Sequence, residues 1–351
     1  MANDYVNIPA GVLRTFSSEV YEKLGLPRED AETVADTLVE ADLRGVYSHG
    51  VMRTSAYMKR IQTGAAIARP NIRVVHESAT TATIDGGDGM GQPVSKRAME
   101  LCIAKAKKGG IASVGVCHSN HFGAAAYWSM MALDHDLIGF STTNASPSMA
   151  PTGGKQIAVG NNPFSWAIPA GEELPVVLDM AVSVVARGKM RMAEKKGEKI
   201  PLNWALDVEG EPTDDPTKAI KGMLLPVGGY KGYGLSVVMD VLSGVITGGN
   251  YGPLITPETD EPPPRNVGHF FMALDPAVFM PIDRFKVRVD ELVRELKRSQ
   301  LAKGYDGIYM PGEIEFNLRK ERLEKGVPTP AAVIRELKDV AAQLGVKARL
   351  V

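Results

Sequence analysis

After about residue 75, short apolar runs rich in β-branched residues alternate with stretches of helical periodicity. Such alternation is typical of βαβ units, in which helices cover a sheet. We therefore predict an α/β fold with a mixed, largely parallel sheet covered by helices. The predicted strands are 81–85, 111–116, 137–142, 165–170 and 175–180, and the helical patterns among them include 94–107 and 123–133.

The first 75 residues lack this alternation and are predicted to be helical. Leu13, Phe16 and Val20 repeat at helical spacing, and Ser48 stands where an N-cap is expected ahead of a further helix. The end of the chain, after Thr329, again has the pattern of an amphipathic helix. We divide the chain into an N-terminal helical region (1–75), an α/β core (76–320) and a C-terminal helical segment that packs on the N-terminal region (321–351).

Charge and hydropathy exclude several classes of protein. The 40 Lys and Arg residues are balanced by 41 Asp and Glu residues, so the chain lacks the positive surplus of a nucleic-acid-binding protein. No run approaches the ~18 apolar residues of a membrane span, and the first residues do not resemble a secretory signal. Two cysteines, Cys102 and Cys117, are too few for a disulfide framework. We expect a cytoplasmic enzyme without a nucleic-acid or membrane partner.

The segment SHGVMR (48–53) is the first candidate for chemistry. If Ser48 caps a helix, His49 lies in its first turn and Arg53 lies four residues further on the same face. A histidine exchanges protons near neutral pH, and an arginine matches the two oxygens of a carboxylate. The positive end of the helix dipole would favour the neutral imidazole. Alternatively, His49 is a surface residue of the cap and Arg53 pairs with a nearby acid.

The segment CHSNHFG (117–123) follows a predicted strand, at the edge where open α/β sheets bind ligands. His118 and His121 are three residues apart, which raises the possibility of a metal site, but no carboxylate-rich partner segment such as H-E-x-x-H accompanies them. We favour His121 as an active-site group and expect no metal. A histidine that only packs the loop is the remaining alternative.

Asp179 ends another predicted strand, where a carboxylate can orient an imidazole; a helix-start role is the alternative. Glycine-rich turns at 86–91, 151–155, 159–163 and 228–234 could approach a phosphate, but none is a Rossmann fingerprint. These residues predict an enzyme with an anionic substrate and leave its reaction open. A metal-dependent hydrolase or lyase that uses His118, His121 and Asp179 and a non-catalytic binder of small acids are alternatives.

Read together, these segments resemble the type 2 malate/L-lactate dehydrogenase family, NAD(P)-dependent oxidoreductases that lack a Rossmann fold. The resemblance runs from roughly residue 7 to 340, and the loop 249–265 is its least similar part. It rests on DLRGVYSHGVMR (42–53), GVCHSNHFGAAAYW (115–128), NASPSMAPTGGK (144–155), GNNPFSWAIPA (160–170), LDMAVSVVARGK (178–189), DPTKAIKGMLLPVGGYKGYGLSVVMDVLSG (215–244), NVGHFFMALDP (266–276) and YMPGEIE (309–315).

The resemblance implies a non-Rossmann nicotinamide-binding fold, NAD or NADP as cofactor, and hydride transfer to or from a small anionic 2-hydroxy or 2-oxo acid of the malate, lactate or sulfolactate type. Imino acids are the alternative substrates. It further implies that the region 1–75 contributes active-site residues, that the core 76–320 binds cofactor and substrate, and that the protein is a homodimer with the active site near the subunit interface. By position, His49, His121 and Asp179 are the catalytic candidates, and Ser48 and Arg53 bind substrate. The implied cofactor contacts are His121, Ser141, Thr143, Asn144, Asp179, Met180, Ala181, Lys231, Pro311, Gly312 and Glu313.

Overall fold

The computed structural model describes residues 5–256 and 265–350. Its strands are β1 (Tyr5–Ile8), β2 (Arg73–Glu77), β3 (Thr81–Asp85), β4 (Ile111–Ser119), β5 (Ile138–Thr143), β6 (Phe164–Ile168), β7 (Val176–Met180), β8 (Ala205–Leu206), β9 (Met223–Leu224), β10 (Val267–Leu274) and β11 (Val327–Pro330). Its α-helices are α1 (Ala10–Lys23), α2 (Arg28–Leu43), α3 (Thr54–Gln62), α4 (Gly91–Gly109), α5 (Ala125–Met130), α6 (Arg187–Lys196), α7 (Pro216–Lys221), α8 (Tyr230–Asp240), α9 (Ile282–Lys297), α10 (Glu313–Lys325) and α11 (Ala331–Leu344).

The main sheet has seven strands in the order β2-β3-β4-β10-β5-β6-β7. The α/β class and the mixed sheet are confirmed, but the expectation of a largely parallel sheet is wrong. Only β3 and β4 are parallel neighbours among the described strands, and the other adjacent pairs are antiparallel. Three of these pairs, β2–β3, β5–β6 and β6–β7, join strands that are consecutive in the chain, and the other two involve β10, which enters from late in the chain and separates β4 from β5. These two strands run in the same direction, as a βαβ unit requires, but each pairs with β10 instead of with the other.

The strand directions bring several loops to one edge of the sheet. The strands β3, β4, β5 and β7 all run the same way, so their carboxyl ends lie at a common edge. Ligands of open α/β sheets bind at such an edge. The segments that begin at Asn120, Asn144 and Ala181 leave the sheet there.

Three apolar cores surround this edge. One fills the space between the sheet and helices α4 and α5, where Phe122, Trp128 and Phe271 are fully buried. A second joins α1–α3 to β11 and α11, so the two ends of the chain pack in one cluster, and β1 pairs with β11. A third lies around Met149, Met190 and Leu224, under α6 and the small β8–β9 sheet. The division at 75 and 320 itself stays a prediction.

Two further points concern the predicted partners. None of the helices in the described ranges is both long enough and apolar enough to cross a membrane. The sequence of the proline-rich loop 251–267 predicts a lid or an oligomer contact, because structureless loops of this length are uncommon, but its residues 257–264 lie outside the described residues.

Candidate active site

A cleft of ≈ 1430 Å³ opens at the carboxyl edge of the sheet. It lies between the N-terminal helices, the loops that follow β4, β5 and β7, and the segment before α10. The predicted site residues that line it are Ser48, His49, Arg53, His121, Thr143, Asn144, Asp179, Met180, Ala181, Pro311 and Gly312. The fold therefore brings together most of the residues proposed from the sequence.

The segment 48–53 forms two short 3-10 turns ahead of α3, and not the first turn of an α-helix as expected. Ser48 caps no helix; its hydroxyl lies 2.9 Å from Nδ1 of His49. The helix-dipole explanation for a neutral His49 is therefore wrong. Burial, assisted by the positive charge of Arg53, lowers the pKa of His49 to about 4, so the ring is neutral at physiological pH.

A buried carboxylate holds this turn in place. Oδ2 of Asp42, at the end of α2, accepts a hydrogen bond of 2.8 Å from the Val51 N–H. Gly50 lies against the same carboxylate, and a Cβ atom there would be 1.8 Å from Asp42 Oδ1. Desolvation raises the pKa of Asp42 to about 7, against the stabilising bond from Val51. The acceptor that fixes the turn is therefore Asp42, a group that local sequence patterns did not indicate.

His121 is fixed in one tautomer by its neighbours. Nδ1 lies 2.6 Å from the Tyr57 hydroxyl and also accepts a 3.3 Å hydrogen bond from the Gly123 N–H. Because a backbone N–H only donates, Nδ1 carries no proton, and the neutral ring has its proton on Nε2. Burial first, then the charge of Arg53, lowers the pKa of His121 well below its ordinary value. Its ring stacks on that of His49, with centroids 5.3 Å apart and planes 25° apart.

Asp179 lies at the end of β7 and faces the cleft. Its Oδ2 accepts a 2.9 Å hydrogen bond from the Ala126 N–H at the start of α5. Although solvent reaches it through the cleft, surrounding protein desolvates it and raises its pKa to about 6, while the charge of Arg44 acts in the opposite direction. In the described ranges it bonds neither imidazole, so the expected orienting contact is not present.

The carboxyl end of β5 forms the next wall. Thr143 Oγ1 donates to the Gly268 carbonyl at 3.0 Å and lies 2.8 Å from Nδ1 of His269. The second ring nitrogen of His269 lies 2.8 Å from the Ser119 hydroxyl at the end of β4. His269 is fully buried, and desolvation lowers its pKa to about 3. This neutral ring therefore bridges the carboxyl end of β5, which carries Thr143, and the carboxyl end of β4, which precedes the loop with His121.

The segment 310–312 closes the cleft beside β7. The Val177 N–H donates to the Pro311 carbonyl at 2.9 Å, and Gly312 has a φ of +86°. A Cβ at Gly312 would lie 2.8 Å from the Val177 carbonyl oxygen, so the turn fits flush against the strand only with glycine.

Three predicted cofactor residues lie outside the cleft lining. Ser141 is fully buried, and its hydroxyl donates to the Ala125 carbonyl at 2.7 Å. Glu313 accepts hydrogen bonds from the Met310 N–H and from Lys297 Nζ, and so supports the segment 310–312 from behind. Lys231 is exposed near the start of α8. A direct cofactor contact from these residues stays a prediction.

The ligand set of the metal hypothesis is not brought together. His118 lies with Asp85 and Cys117, whose ligand atoms are all within 4.8 Å of one another, and within residues 5–256 and 265–350 no such group includes His121 or Asp179. His118 Nδ1 is 3.1 Å from Asp85 Oδ1, which is also bonded by the Gly87 N–H.

The site also contains residues that the sequence analysis did not single out: Tyr57 is buried beneath His121, outside the cleft lining, whereas Arg187 and Arg191 line the cleft. Tyr57 lies four residues after Arg53, and this helical spacing was the available signal. Arg187 and Arg191 have the same spacing on α6; Arg187 lies inside the segment 178–189 quoted for the resemblance, and Arg191 lies two residues beyond its end. The charged residues of the lining are five arginines (Arg44, Arg53, Arg187, Arg191 and Arg265) and three acids (Glu40, Asp179 and Glu315). The positive surplus that the whole chain lacks is therefore present in the cleft.

Comparison with known proteins agrees with this picture. The profile described as malate/L-lactate dehydrogenase matches residues 8–338. A malate dehydrogenase of Pyrococcus abyssi is 41% identical over 98% of this chain and 96% of its own length. An L-sulfolactate dehydrogenase of Methanocaldococcus jannaschii is 42% identical over 93% of this chain and 94% of its own. The solved sulfolactate dehydrogenase of that organism superposes with a TM-score of 0.92 at 40% identity, covering 98% of each chain.

More distant relatives have names that specify a cofactor. One is a (2R)-3-sulfolactate dehydrogenase (NADP(+)) of Chromohalobacter salexigens, 34% identical over 93% of this chain and 96% of its own; another is a ureidoglycolate dehydrogenase (NAD(+)) of Escherichia coli O157:H7, 35% identical over 86% of each chain. The resemblance noted in the sequence is confirmed. With a matched profile over nearly its whole length and relatives above 40% identity, this chain belongs to the malate/L-lactate dehydrogenase family.

Proposed function

We propose that this protein is a dehydrogenase that transfers a hydride between NAD or NADP and a small 2-hydroxy or 2-oxo acid of the malate, lactate or sulfolactate type. One observation carries the proposal furthest. Two stacked, desolvated histidines lie beside Arg53 in a cleft at the carboxyl ends of the three strands β4, β5 and β7. The named activities of the relatives support the same reaction class.

The cleft fits a dinucleotide together with an acid. Its ≈ 1430 Å³ exceeds the roughly 300–1,000 Å³ of a typical small-molecule site, so two ligands can be accommodated. The flush turn at Gly312 leaves space beside β7, and backbone groups there can approach a flat ring. When bound, the nicotinamide exchanges a hydride with the substrate carbon that bears the oxygen. The residues that would hold the cofactor are Thr143, Asn144, Asp179, Met180, Ala181, Pro311 and Gly312.

Arg53 and His49 would act on the acid. The Arg53 guanidinium can bind the substrate carboxylate through two hydrogen bonds. A neutral His49 that donates Nδ1–H to Ser48 leaves Nε2 free to accept the hydroxyl proton during oxidation. A bound carboxylate also offsets the Arg53 charge that lowers the pKa of both histidines. Substrate binding therefore favours proton uptake, which the reverse reaction needs.

His121 has a different role in this proposal. Its neutral ring has a proton on Nε2, because Nδ1 accepts from Gly123 and is bonded to Tyr57. It can therefore donate a hydrogen bond to the substrate oxygen but is poorly suited to take a proton. We assign proton transfer to His49 and polarisation of the oxygen to His121.

A spectrophotometric screen tests the proposed reaction. Purified protein is mixed with NADH or NADPH and a panel of oxaloacetate, pyruvate, sulfopyruvate and cyclic imino acids, and loss of reduced nicotinamide is followed. Turnover of a 2-oxo acid supports the proposal. Turnover of imino acids alone would assign the alternative reductase activity. No turnover with any member, by a protein shown to be folded, would contradict the dehydrogenase proposal.

The proposed assembly is a homodimer in the cytoplasm. The outer face of α8 and the turn after it exposes an apolar set, and Lys231 stands at the head of this helix outside its own cleft. A second copy on this face would bury the apolar side chains and could bring Lys231 to a neighbouring cleft. The set comprises Leu235, Val238, Val241, Val245 and Ile246. The free, buried cysteines are compatible with a reducing compartment.

Light scattering coupled to size-exclusion chromatography tests the dimer. We expect twice the chain mass for the wild type and a shift to monomer for Val238→Asp. Val208→Asp, at an exposed apolar site elsewhere, is the control and should remain dimeric. A monomeric wild type would contradict the proposed assembly.

A further inference from the structure

Ser148, Arg187 and Arg191 form a polar group on a wall of the cleft where no acidic side chain is paired with them. All three line the cleft. Within residues 5–256 and 265–350, neither arginine takes part in an ion pair, and Arg187 Nε is buried without a hydrogen-bond acceptor. The only hydrogen bond of the Arg187 side chain in these ranges is a 3.5 Å contact to the Gly222 carbonyl. Such guanidinium groups are available to an anion.

The fold holds the two arginines side by side. They are the first and fifth residues of α6, so they lie on the same helical face. Burial, then the neighbouring charge of Arg191, lowers the pKa of Arg187, which shows that the two cations repel each other. Like charges at this spacing destabilise a helix. A bound anion would remove that repulsion.

Ser148 supplies a third, independent element. It is only 8% exposed, and its hydroxyl has no hydrogen-bond partner within the described ranges. Its carbonyl accepts from the Leu224 N–H at 2.9 Å, while Arg187 contacts Gly222 at the start of the same short strand. The backbone of Ser148 and the side chain of Arg187 therefore contact the same short segment, residues 222–224, and both residues line the cleft. A buried, unsatisfied hydroxyl beside two unpaired cations is the donor set of a phosphate site.

We propose that Ser148, Arg187 and Arg191 bind a phosphate monoester of the cofactor, the 2′-phosphate of NADP, and that the enzyme consequently prefers NADP to NAD. This inference rests on the proposed dehydrogenase function. A phosphate monoester carries about −1.5 to −2 charges at neutral pH, which matches two guanidinium groups. Each phosphate of the pyrophosphate carries a single charge and occurs in both cofactors, so it matches the pair less well.

The first experiment compares the two cofactors in variants of α6. Wild-type kcat/KM is expected to be higher with NADPH than with NADH. Arg191→Gln should lower kcat/KM for NADPH by about 10- to 100-fold and change the value for NADH by no more than about 3-fold. Arg191 is exposed, so this change should not disturb folding. Lys189→Gln is the matched control, because it removes one positive charge from the same helix at a position outside the cleft lining.

The second experiment measures binding without turnover. Calorimetry compares adenosine 2′,5′-bisphosphate with adenosine 5′-monophosphate, which lacks the 2′-phosphate. We expect tighter binding of the bisphosphate, an advantage that Ser148→Ala reduces and Arg191→Gln largely removes. Because no substrate is involved, this result is independent of the reaction that the enzyme catalyses.

Several outcomes would overturn the inference. If Arg191→Gln lowers kcat/KM equally for both cofactors and lowers the affinity equally for both nucleotides, the arginines bind a phosphate that NAD and NADP have in common. A change in the KM of the acid alone would assign them to the substrate. Equal binding of the two nucleotides to the wild type would remove the 2′-phosphate site. Absence of turnover together with tight binding of the bisphosphate would contradict the proposed function but would still support the phosphate site.

Discussion

The two parts of the cleft differ in how the protein satisfies their polar side chains. The histidine corner, consisting of His49, Tyr57 and His121, is bonded internally: each imidazole already has a hydroxyl partner, and burial keeps both neutral. The arginine wall, consisting of Ser148, Arg187 and Arg191, retains unsatisfied donors. Groups that must begin the reaction in one proton state and orientation are fixed before a ligand arrives, whereas groups that only attract charge can remain unpaired until then.

Of these changes, loss of His49 should have the largest effect on kcat, because it removes the proton-transfer group of the histidine corner. His49→Gln is expected to lower kcat at saturating acid by roughly 10²–10⁴-fold, because the acid–base group is lost. His121→Asn should cost less, since it removes a hydrogen-bond donor only. Steady-state kinetics measures both. His76→Gln, on the exposed strand β2, is the control and should retain activity. A His49 variant with unchanged kcat would show that proton transfer occurs elsewhere.

Gly50→Ala tests whether the fixed geometry of the histidine corner depends on Asp42. The added Cβ would collide with the Asp42 carboxylate, and overpacking of this kind costs about 1–3 kcal/mol of unfolding free energy. We expect both lower stability in urea and lower kcat/KM, because the turn that carries His49 must shift. Gly11→Ala is the matched control: its Cβ meets no atom within 4 Å. If the two variants are equally stable and active, Asp42 does not hold the turn.

Tyr57→Phe tests the contribution of the hydrogen bond between the Tyr57 hydroxyl and His121. The change removes the hydroxyl that is 2.6 Å from Nδ1 and leaves the Gly123 N–H as the remaining fixed donor. A neutral hydrogen bond contributes about 0.5–1.5 kcal/mol, so we expect kcat to fall by up to about 10-fold with little change in the KM for the acid. Tyr305→Phe, at an exposed tyrosine, should have no effect. A rise in KM alone would indicate a binding role for Tyr57.

The smallest effect concerns the pH dependence of stability. His269 stays neutral in the fold until its pKa of about 3, whereas an unfolded chain binds a proton near 6.5. Its contribution is therefore complete above pH 6.5 and is lost as the pH falls toward 3. His49 acts in the same direction, and Asp42 and Asp179, with raised pKa values, act in the opposite one.

The wild type should lose more thermal stability between about pH 7 and pH 5 than His269→Gln does, because only the wild type must keep this imidazole unprotonated. Melting temperatures of the two proteins at both pH values measure the difference. Parallel pH profiles would show that His269 does not contribute.

Local patterns predicted most of the sheet but not its order. The run 81–85 coincides with β3, and the other predicted strands overlap β4 to β7, because each strand is a contiguous apolar segment. The place of β10 depends on pairing between residues more than 100 positions apart, which no local pattern encodes. The resemblance was needed to combine His49 with His121.

The errors in the candidate site have the same origin. Ser48 has the side chain of an N-cap, but the turn after it is fixed by Asp42 from another helix. Asp179 was expected to orient an imidazole, yet the nearest donor is the Ala126 N–H. Both outcomes depend on which segments meet in space. The spacing of the arginines of α6 can be read from the sequence, but their significance depends on the lack of an ion pair to either of them in the described ranges, which only the fold reveals.

The position of β10 determines when the fold can close. The strand lies in the middle of the sheet, between β4 and β5, but is synthesised after about three quarters of the chain. Until it arrives, β4 and β5 present unpaired edges to each other, and such edges can pair with other chains. A growing chain is therefore exposed to this hazard from the synthesis of β5 until residue 274. Insertion of β10 removes both edges at once and completes the edge on which the cleft is built.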